Sequence, residues 1–368
     1  MINVNNATKT AYLSDSIPKQ LTVYFPDLNI TLSNTDLLAE SFSLTERATA
    51  NDSIEFVGCI ASVAKFTTTS LTENVSGEKV IISIQATGTD VESINLFTGY
   101  VESVEQQAHS VNKEITAYDP LYNLGQFSDV ADWYRLLSFP ISLKNFRDSL
   151  FAEIGITQVN TTLPLDTLVF DRAYDPATMN PLDVIKSICQ LNCVFGKINY
   201  DGEFEYITPP SSPLTSDEYI SYYKSGTYQE YTVQPVNKLV IRVDETDYIC
   251  GGGTNKYIIQ DNFFFKNLSD EKLQDIADTL YPEISGFSYV PFSFDTNGLP
   301  YVECLDVITL PVRNLITDEF VDKDFLILER TLSGIQALRD NFVAEGDEYQ
   351  HEFITSISVD IVFVDRKS

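Results

Sequence analysis

Short runs of β-branched and aromatic residues, separated by turn-forming residues, dominate the first third of the chain. They lie at residues 21–25, 80–84 and 96–101. Such runs favour β-strands, and turn-formers such as Ser76-Gly77 separate them. Strands at this regular spacing are typical of a barrel or a sandwich. Residues 1–118 are therefore predicted to form an N-terminal β domain.

The pattern changes to a helical period after Asp119-Pro120. One set of apolar residues recurs every three or four positions and comprises Leu143, Phe146, Leu150 and Ile154. This spacing predicts an amphipathic helix over 142–154, and Gly155 is a suitable C-terminal stop. A second helix is predicted to begin at Asn180-Pro181, because asparagine is a favourable N-cap and proline is favourable in the first turn.

A β-hairpin is predicted directly after the second helix. Two strand-like runs, 194–199 and 204–207, flank a turn that contains Asp201-Gly202, and Asp-Gly between such flanks is a strong hairpin signal. The proline-rich segment 209–213 cannot continue a strand ladder, so it is the best linker candidate. Residues 119–213 are thus predicted to be a small α+β insert.

β-patterning returns after this segment. Strands are predicted at 238–243, 325–328 and 354–364, whereas 335–342 fits either period and is interpreted as a strand. One helix interrupts them, with Ser269 as its cap. Residues 214–368 are predicted to form a C-terminal β domain with one helix. The predicted fold class is therefore mainly β, with two β domains flanking an α+β insert.

The charge of the chain changes the functional picture more than any other bulk property. Against 24 basic residues stand 53 acidic ones, a formal net charge of −29. Nucleic-acid binding depends on lysine and arginine displacing counterions from phosphates, and anionic membranes repel acidic proteins. Specific nucleic-acid binding and membrane insertion are therefore not expected. The acidity serves either solubility alone or an electrostatic role.

Candidate metal ligands are few and poorly spaced. The chain has two histidines, His109 and His351, and neither has a ligand three or four residues on. Cys189 and Cys193 lie one helical turn apart, but a zinc site needs two more ligands at a defined spacing. Buried thiols on a helix face are the better interpretation.

The five cysteines are scattered and odd in number, which is typical of a reduced protein assembled in the cytosol.

Two further segments are weak candidates for chemistry. The glycine-rich segment 250–253 lacks the lysine of a phosphate-binding loop and is predicted to be a flexible hairpin tip. Asp318, Glu319, Asp322 and Asp324 form the densest carboxylate cluster, yet without calcium-loop spacing, so a solvated loop is favoured. The nucleophile and zinc-protease motifs are absent as well. No catalytic, cofactor or metal site is predicted, and the chain is not expected to be an enzyme.

Several packing and turn patterns follow one another in a recognisable order along almost the whole chain. They are Phe25-Pro26-Asp27, residues 40–46, Phe56-Val57-Gly58-Cys59, residues 96–101, Ala117-Tyr118-Asp119, residues 298–308 and residues 330–334. In this order they resemble the phage tail and baseplate hub family, which includes the baseplate hubs of contractile phages and the N-terminal hub region of siphophage tail-associated proteins. None of these patterns is catalytic.

The resemblance implies a homotrimer that caps a hexameric tail tube. Each chain would supply two tail-tube-like β-barrel domains, so that six similar barrels surround a channel. The implied partners are a distal tail or tail tube protein, a tape measure protein, and a fibre, spike or lysin. The implied location is the tail tip of a virion assembled in the host cytoplasm.

A hub of this kind would let DNA pass without binding it specifically. The net charge then predicts an acidic channel lining that repels phosphates. Two alternatives stay open from the residues alone: a carbohydrate-binding or adhesion module of the tail tip, and a cell-wall hydrolase, since a catalytic carboxylate pair is defined by its separation in space.

Overall fold

A computed structural model of the chain describes residues 2–14, 16–50, 54–106, 108–159, 161–208, 223–313, 318–349, 352–357, 359 and 361–363. The helices in these ranges are α1 (Asn6–Tyr12), α2 (Pro120–Phe127), α3 (Ala131–Leu136), α4 (Leu143–Ile154), α5 (Pro181–Asn192) and α6 (Asp270–Ile284). The predicted linker at 209–213 lies outside the described residues.

Strands make up most of the remaining regular structure. The first group is β1 (Lys19–Phe25), β2 (Ile30–Leu32), β3 (Ser43–Arg47), β4 (Val63–Thr68), β5 (Lys79–Ala86), β6 (Ile94–Gln106) and β7 (Lys113–Tyr118). The second is β8 (Ile141–Ser142), β9 (Val169–Phe170), β10 (Pro176–Met179), β11 (Phe195–Ile198) and β12 (Phe204–Ile207). The third is β13 (Tyr223–Tyr228), β14 (Lys238–Val243), β15 (Thr246–Gly251), β16 (Lys256–Gln260), β17 (Phe292–Asn297), β18 (Val307–Arg313), β19 (Phe320–Leu326), β20 (Glu329–Ser333), β21 (Arg339–Ala344), β22 (Glu352–Ser356) and β23 (Ile361–Phe363). The predicted mainly β fold class is confirmed.

The largest sheet unites strands from both ends of the chain. Its 11 strands run in the order β13-β17-β21-β20-β3-β4-β7-β6-β5-β1-β2. The two β regions meet where β3 pairs antiparallel with β20, with Thr45 opposite Thr331. Side chains alternate between core and solvent, as the period of two requires; in β1, for example, Leu21, Val23 and Phe25 are fully buried. The two β regions therefore lie side by side in one sheet.

The helices of the insert begin and end where capping chemistry predicts. The Ser142 side chain accepts a hydrogen bond from the Asn145 amide at the start of α4, and Gly155 ends this helix in the left-handed conformation at φ 71°. The Asn180 side chain accepts from the Leu182 amide at the start of α5. The predicted hairpin is formed by β11 and β12. Helices α2 and α3 of this region were not predicted.

The glycine-rich segment does not form the predicted hairpin tip. β14 pairs antiparallel with β15 and parallel with β16, so the segment between β15 and β16 crosses the first residue of β14. Gly251 has a φ of 85°, and a Cβ on Gly253 would lie 2.3 Å from Oδ1 of Asn237. Glycine is needed because this segment passes close to Asn237, where a side chain would not fit. The sequence pattern around the glycines does not reveal this contact, because Asn237 belongs to another segment of the chain.

Three further expectations for strands need correction. The strand predicted over 354–364 is two strands, of which β22 pairs parallel with β16 and β23 pairs antiparallel with β10; residue 364 lies outside the described ranges. Within 335–342 only the second half is a strand, because residues 335–338 form the turn between β20 and β21. The N-terminal β region also contains a helix, α1, capped by Asn5.

One aromatic residue shows that all three regions share a core. Phe56, in the loop before β4, is fully buried. Its ring centroid lies 5.6 Å from that of Phe195 in the insert, and 5.2 Å and 5.3 Å from those of Tyr257 and Phe287 in the C-terminal region. Tilted and edge-on ring contacts of this kind stabilise beyond their buried area. The insert therefore packs against both β regions.

Candidate functional site

The residues singled out for metal chemistry do not converge in space. His109 lies in an exposed turn and His351 lies outside the described residues. Cys189 and Cys193 are fully buried, as predicted. Cys189 lies on α5, whereas Cys193 follows this helix as its C-cap in the left-handed conformation, so it is not on the predicted helix face. Within the described ranges, no three histidine, cysteine, aspartate or glutamate side chains are placed to hold a metal ion.

The acidic cluster 318–324 lies just before and within β19, and two of its carboxylates form hydrogen bonds to β18. Nε of Arg313 donates to Oδ1 of Asp318 at 2.8 Å, and the Thr309 hydroxyl donates to Oδ1 of Asp324 at 2.6 Å. These two carboxylates therefore pair with β18. No helix among the described residues is long and apolar enough to cross a membrane.

The most unusual chemistry in the fold is a buried ionic network centred on Arg330. This side chain is fully buried, and its Nε donates to Oδ1 of Asp340 at 2.8 Å. Nη1 donates to the Tyr200 hydroxyl at 2.9 Å and to Oε2 of Glu46 at 3.3 Å. Nη2 donates to the Leu299 carbonyl at 3.0 Å. All three guanidinium nitrogens thus donate hydrogen bonds, which a buried arginine needs because no water can accept from its N–H groups.

The network joins all three regions of the chain. Glu46 is in β3 of the N-terminal region, Tyr200 is in the hairpin turn of the insert, and Arg330 and Asp340 are in β20 and β21 of the C-terminal region. The Tyr200 hydroxyl also lies 3.1 Å from Oε2 of Glu46. Beside it, Nζ of Lys197 donates to Oε1 of Glu303 at 2.9 Å. The junction of the two β regions and the insert is therefore polar and fully paired at its centre.

Electrostatics at this junction follow from burial. Removal from water raises the pKa of Glu46 and of Asp340, and the positive charge of Arg330 offsets only part of that effect. Burial would lower the pKa of Lys197, but the carboxylates of Glu303 and Glu46 raise it above its ordinary value. The network therefore holds charges that no solvent stabilises, so it depends on every partner being present.

A second site with a buried carboxylate, Asp119, holds the chain in place where it passes from β7 into α2. Asp119 follows β7, and its two oxygens accept from the Leu121 amide at 2.9 Å and the Ser62 amide at 2.7 Å. It therefore caps α2 and also ties α2 to the residue before β4. Burial raises the pKa of Asp119 to about 7, although both backbone amides oppose this shift.

The solvent face of the central sheet is polar, and its charges balance over the seven strands from β13 to β7. From β13 to β7, one row of paired residues comprises Ser225, Asp295, Asn341, Thr331, Thr45, Val63 and Tyr118. Hydrogen bonds connect Ser225 to Asp295, Asn341 to Asp295, and Thr45 to Thr331. On the seven strands from β13 to β7, the charged residues of this face are Arg47, Lys65, Arg339, Glu114, Asp295 and Glu329. Three are basic and three are acidic, so the acidic surplus of the chain lies elsewhere.

Sequence reasoning missed the network although its residues lie in noticed patterns. Glu46 ends the 40–46 pattern and Arg330 begins the 330–334 pattern, but 284 residues separate them. The available signal is the alternation of side chains along each strand, which places Glu46 on the buried face with Leu44 and Arg330 on the buried face with Leu332. It marks a buried group that needs a partner, without naming the partner.

Comparisons with known proteins point to one fold. No protein-family model and no curated protein matches the chain. Three solved structures cover most of it. The 43 kDa tail protein of prophage MuSo2 from Shewanella oneidensis is 12% identical, with 88% of this chain and 98% of that chain covered and a TM-score of 0.54. The tail protein from Neisseria meningitidis MC58 is 10% identical, with 91% and 100% covered and a TM-score of 0.55.

The third structure is the prophage tail protein gp18 from Listeria monocytogenes EGD-e. It is 11% identical, with 88% of this chain and 94% of that chain covered and a TM-score of 0.50. The chain has the fold of prophage tail proteins. The resemblance to phage tail proteins is therefore confirmed at the level of the fold. Sequence identities of 10–12% establish a shared fold and no more. The Arg330 network and the polar sheet face are features of this chain within that fold.

Proposed function

We propose that this chain is a structural subunit of a phage-type tail, and specifically a hub at the tail tip. The pairing of β3 with β20 carries the proposal, because it sets the two β regions side by side in one sheet. The likeness to prophage tail proteins over most of the chain supports a tail role.

In the proposed assembly, residues 1–118 and 214–368 act as two similar wall units, and residues 119–213 pack against both. Three chains then supply six wall units around a channel, which matches a hexameric tube. The central sheet ends at β13 on one side and β2 on the other within the described residues. Edge strands readily pair with another chain, so we propose that these edges face neighbouring copies in the ring.

The proposed channel wall is the solvent face of the central sheet. Over its strands from β13 to β7 the basic and acidic residues cancel, and most of the other residues carry hydroxyl or amide groups. For this part of the wall we therefore propose a neutral lining in place of the acidic lining expected from the net charge. DNA phosphates would find few counterion-releasing contacts there. The proposed partners are a distal tail or tail tube protein, a tape measure protein, and a fibre, spike or lysin, within a virion.

The ring predicts a definite mass in solution. We expect native mass spectrometry of the purified protein to show a species of three chains, and electron microscopy to show a ring with a central channel. Repeating the measurement after dilution distinguishes a stable trimer, which persists, from association that occurs only at high protein concentration. A monomer that stays monomeric with its tail tube partner, or a dimer with no channel, would contradict the hub.

The position of the sheet face is testable within the same ring. Ser293 is exposed on this face, so a Ser293→Cys variant labelled with a maleimide gold cluster is expected to show density at the channel axis. Cys250, the one described cysteine that is not buried, is replaced by serine in the same protein. A matched label at exposed Asp201, in the insert hairpin, is expected to lie away from the axis. Gold from Ser293→Cys at the outer rim would refute the assignment of the wall without refuting the ring.

A further inference from the structure

Two cysteines that are far apart in sequence touch in the fold. Cys59 lies in the loop before β4, and Cys189 lies in the last turn of α5. Their Sγ atoms are 3.7 Å apart although 130 residues separate them. Both thiols are free and buried. This contact joins the N-terminal β region to the insert.

The backbone around the two sulfurs is held in place and leaves room for them. The Cys59 amide donates to the Gly196 carbonyl at 2.6 Å, and the Gly196 amide donates to the Val57 carbonyl at 2.9 Å. A Cβ on Gly196 would lie 2.6 Å from Sγ of Cys59 and 2.9 Å from Sγ of Cys189. Glycine at this position therefore allows the sulfurs to meet. A disulfide needs them closer by somewhat under 2 Å, since the bond is about 2.05 Å long.

We propose that Cys59 and Cys189 are a disulfide-forming pair, reduced in the structure and joined when the assembled protein meets an oxidant of the peroxide class. The thiolate of one cysteine attacks a peroxide oxygen and becomes a sulfenic acid, and the leaving hydroxide takes up a proton to form water. The second thiolate then attacks the sulfenic sulfur, the S–S bond forms as the S–O bond breaks, and the leaving hydroxide takes up a proton to form a second water. The two sulfurs together lose two electrons and the peroxide gains them.

Burial makes this reaction slow. It raises the pKa of the Cys189 thiol well above its ordinary value, and only the thiolate is a good nucleophile. Cross-linking therefore waits for openings of the 56–60 loop, and its rate should rise with pH. The pair would stay reduced during assembly in a reducing cytosol and close afterwards.

The test counts thiols in the intact, folded protein. The reduced chain is exposed to hydrogen peroxide, then unfolded in iodoacetamide and weighed by mass spectrometry. All five cysteines are alkylated before oxidation, and three are expected afterwards, with a cross-linked peptide that contains Cys59 and Cys189. The cross-link closes a long loop, so the midpoint of thermal unfolding is expected to rise by roughly 5 °C.

The controls separate geometry from general oxidation. Cys59→Ser and Cys189→Ser should each abolish the cross-link, whereas Cys250→Ser should leave it unchanged; circular dichroism identifies which variants fold. Wild-type protein oxidised in urea should give mixed pairs. Oxidation of half-exposed Cys250 without loss of the Cys59 and Cys189 thiols, or a folded-state link between any other pair, would overturn the proposal. Neither result bears on the hub.

Discussion

Replacement of Arg330 by methionine is expected to lower the free energy of unfolding by about 3–5 kcal/mol. The methionine side chain fills much of the same space, but it leaves Asp340 buried without a cation and removes the guanidinium that contacts Glu46, which then has only the charge of Lys197 nearby. Glu46 is 5% exposed and Asp340 is fully buried. Unpaired carboxylates at these depths are costly because no water replaces the lost partner. Urea unfolding of wild type and variant, followed by circular dichroism, measures the difference.

The same strand pair offers a matched control. Arg47 and Glu329 face each other one position along β3 and β20, with Nη2 and Oε1 3.0 Å apart, but their side chains are 53% and 35% exposed. Because solvent screens this pair, Arg47→Met is expected to cost less than about 1 kcal/mol. Equal losses for Arg47→Met and Arg330→Met would show that burial does not set the strength of the network.

A milder variant guards against a failure to fold. Tyr200→Phe removes one hydroxyl that accepts from Nη1 of Arg330 and lies against Glu46. Its expected cost is about 1–3 kcal/mol, since it leaves buried polar groups short of a partner. A neutral effect of Tyr200→Phe would mean that the insert is not held to the β regions through this network.

Local elements were predictable because their causes are local. The caps at Ser142, Asn180 and Ser269 each accept from a backbone amide two or three residues on, and the sequence contains both partners. The Asp201-Gly202 turn between β11 and β12 is likewise a property of a few neighbouring residues. Such signals fix where an element begins without fixing what it packs against.

Contacts between distant segments were not predictable from periodicity. The glycines between β15 and β16 resemble a flexible turn until Asn237 is seen beside them. The two β regions were predicted as separate domains, and strand patterns alone do not reveal that β3 pairs with β20. The Cys59–Cys189 contact and the Arg330 network depend on that same tertiary arrangement. The candidate sites therefore came from the fold, whereas the fold class came from the sequence.

Raising the pH from about 5 to about 8 is expected to destabilise the protein, and Asp119 supplies one clear part of this effect. Its folded pKa is about 7, whereas an aspartate in an unfolded chain has a pKa of about 3.9. Between these values the folded state holds a proton that the unfolded state lacks. The resulting stabilisation is fully present below about pH 4 and is lost as the pH rises through about 7. The free energy of unfolding should fall by roughly 1.4 kcal/mol per pH unit from this group within that window.

An Asp119→Asn variant isolates the contribution, because the amide stays neutral at every pH. Its absolute stability is expected to be lower, since an amide accepts from only one of the Ser62 and Leu121 amides. The informative quantity is therefore the slope of the unfolding free energy against pH, from urea unfolding at about pH 5, 6, 7 and 8. Between about pH 5 and 7 this slope should be shallower than that of wild type by roughly 1.4 kcal/mol per pH unit, which corresponds to one bound proton. The pH dependence that is left comes from groups such as Glu46 and Asp340, whose pKa values are also raised.

Asp36→Asn is the control, because hydrogen bonds from Ser33 and Ser70 lower the pKa of Asp36 and keep it ionised throughout this range. Parallel slopes for wild type and Asp119→Asn would mean that Asp119 stays ionised in the folded protein, stabilised by the two backbone amides alone.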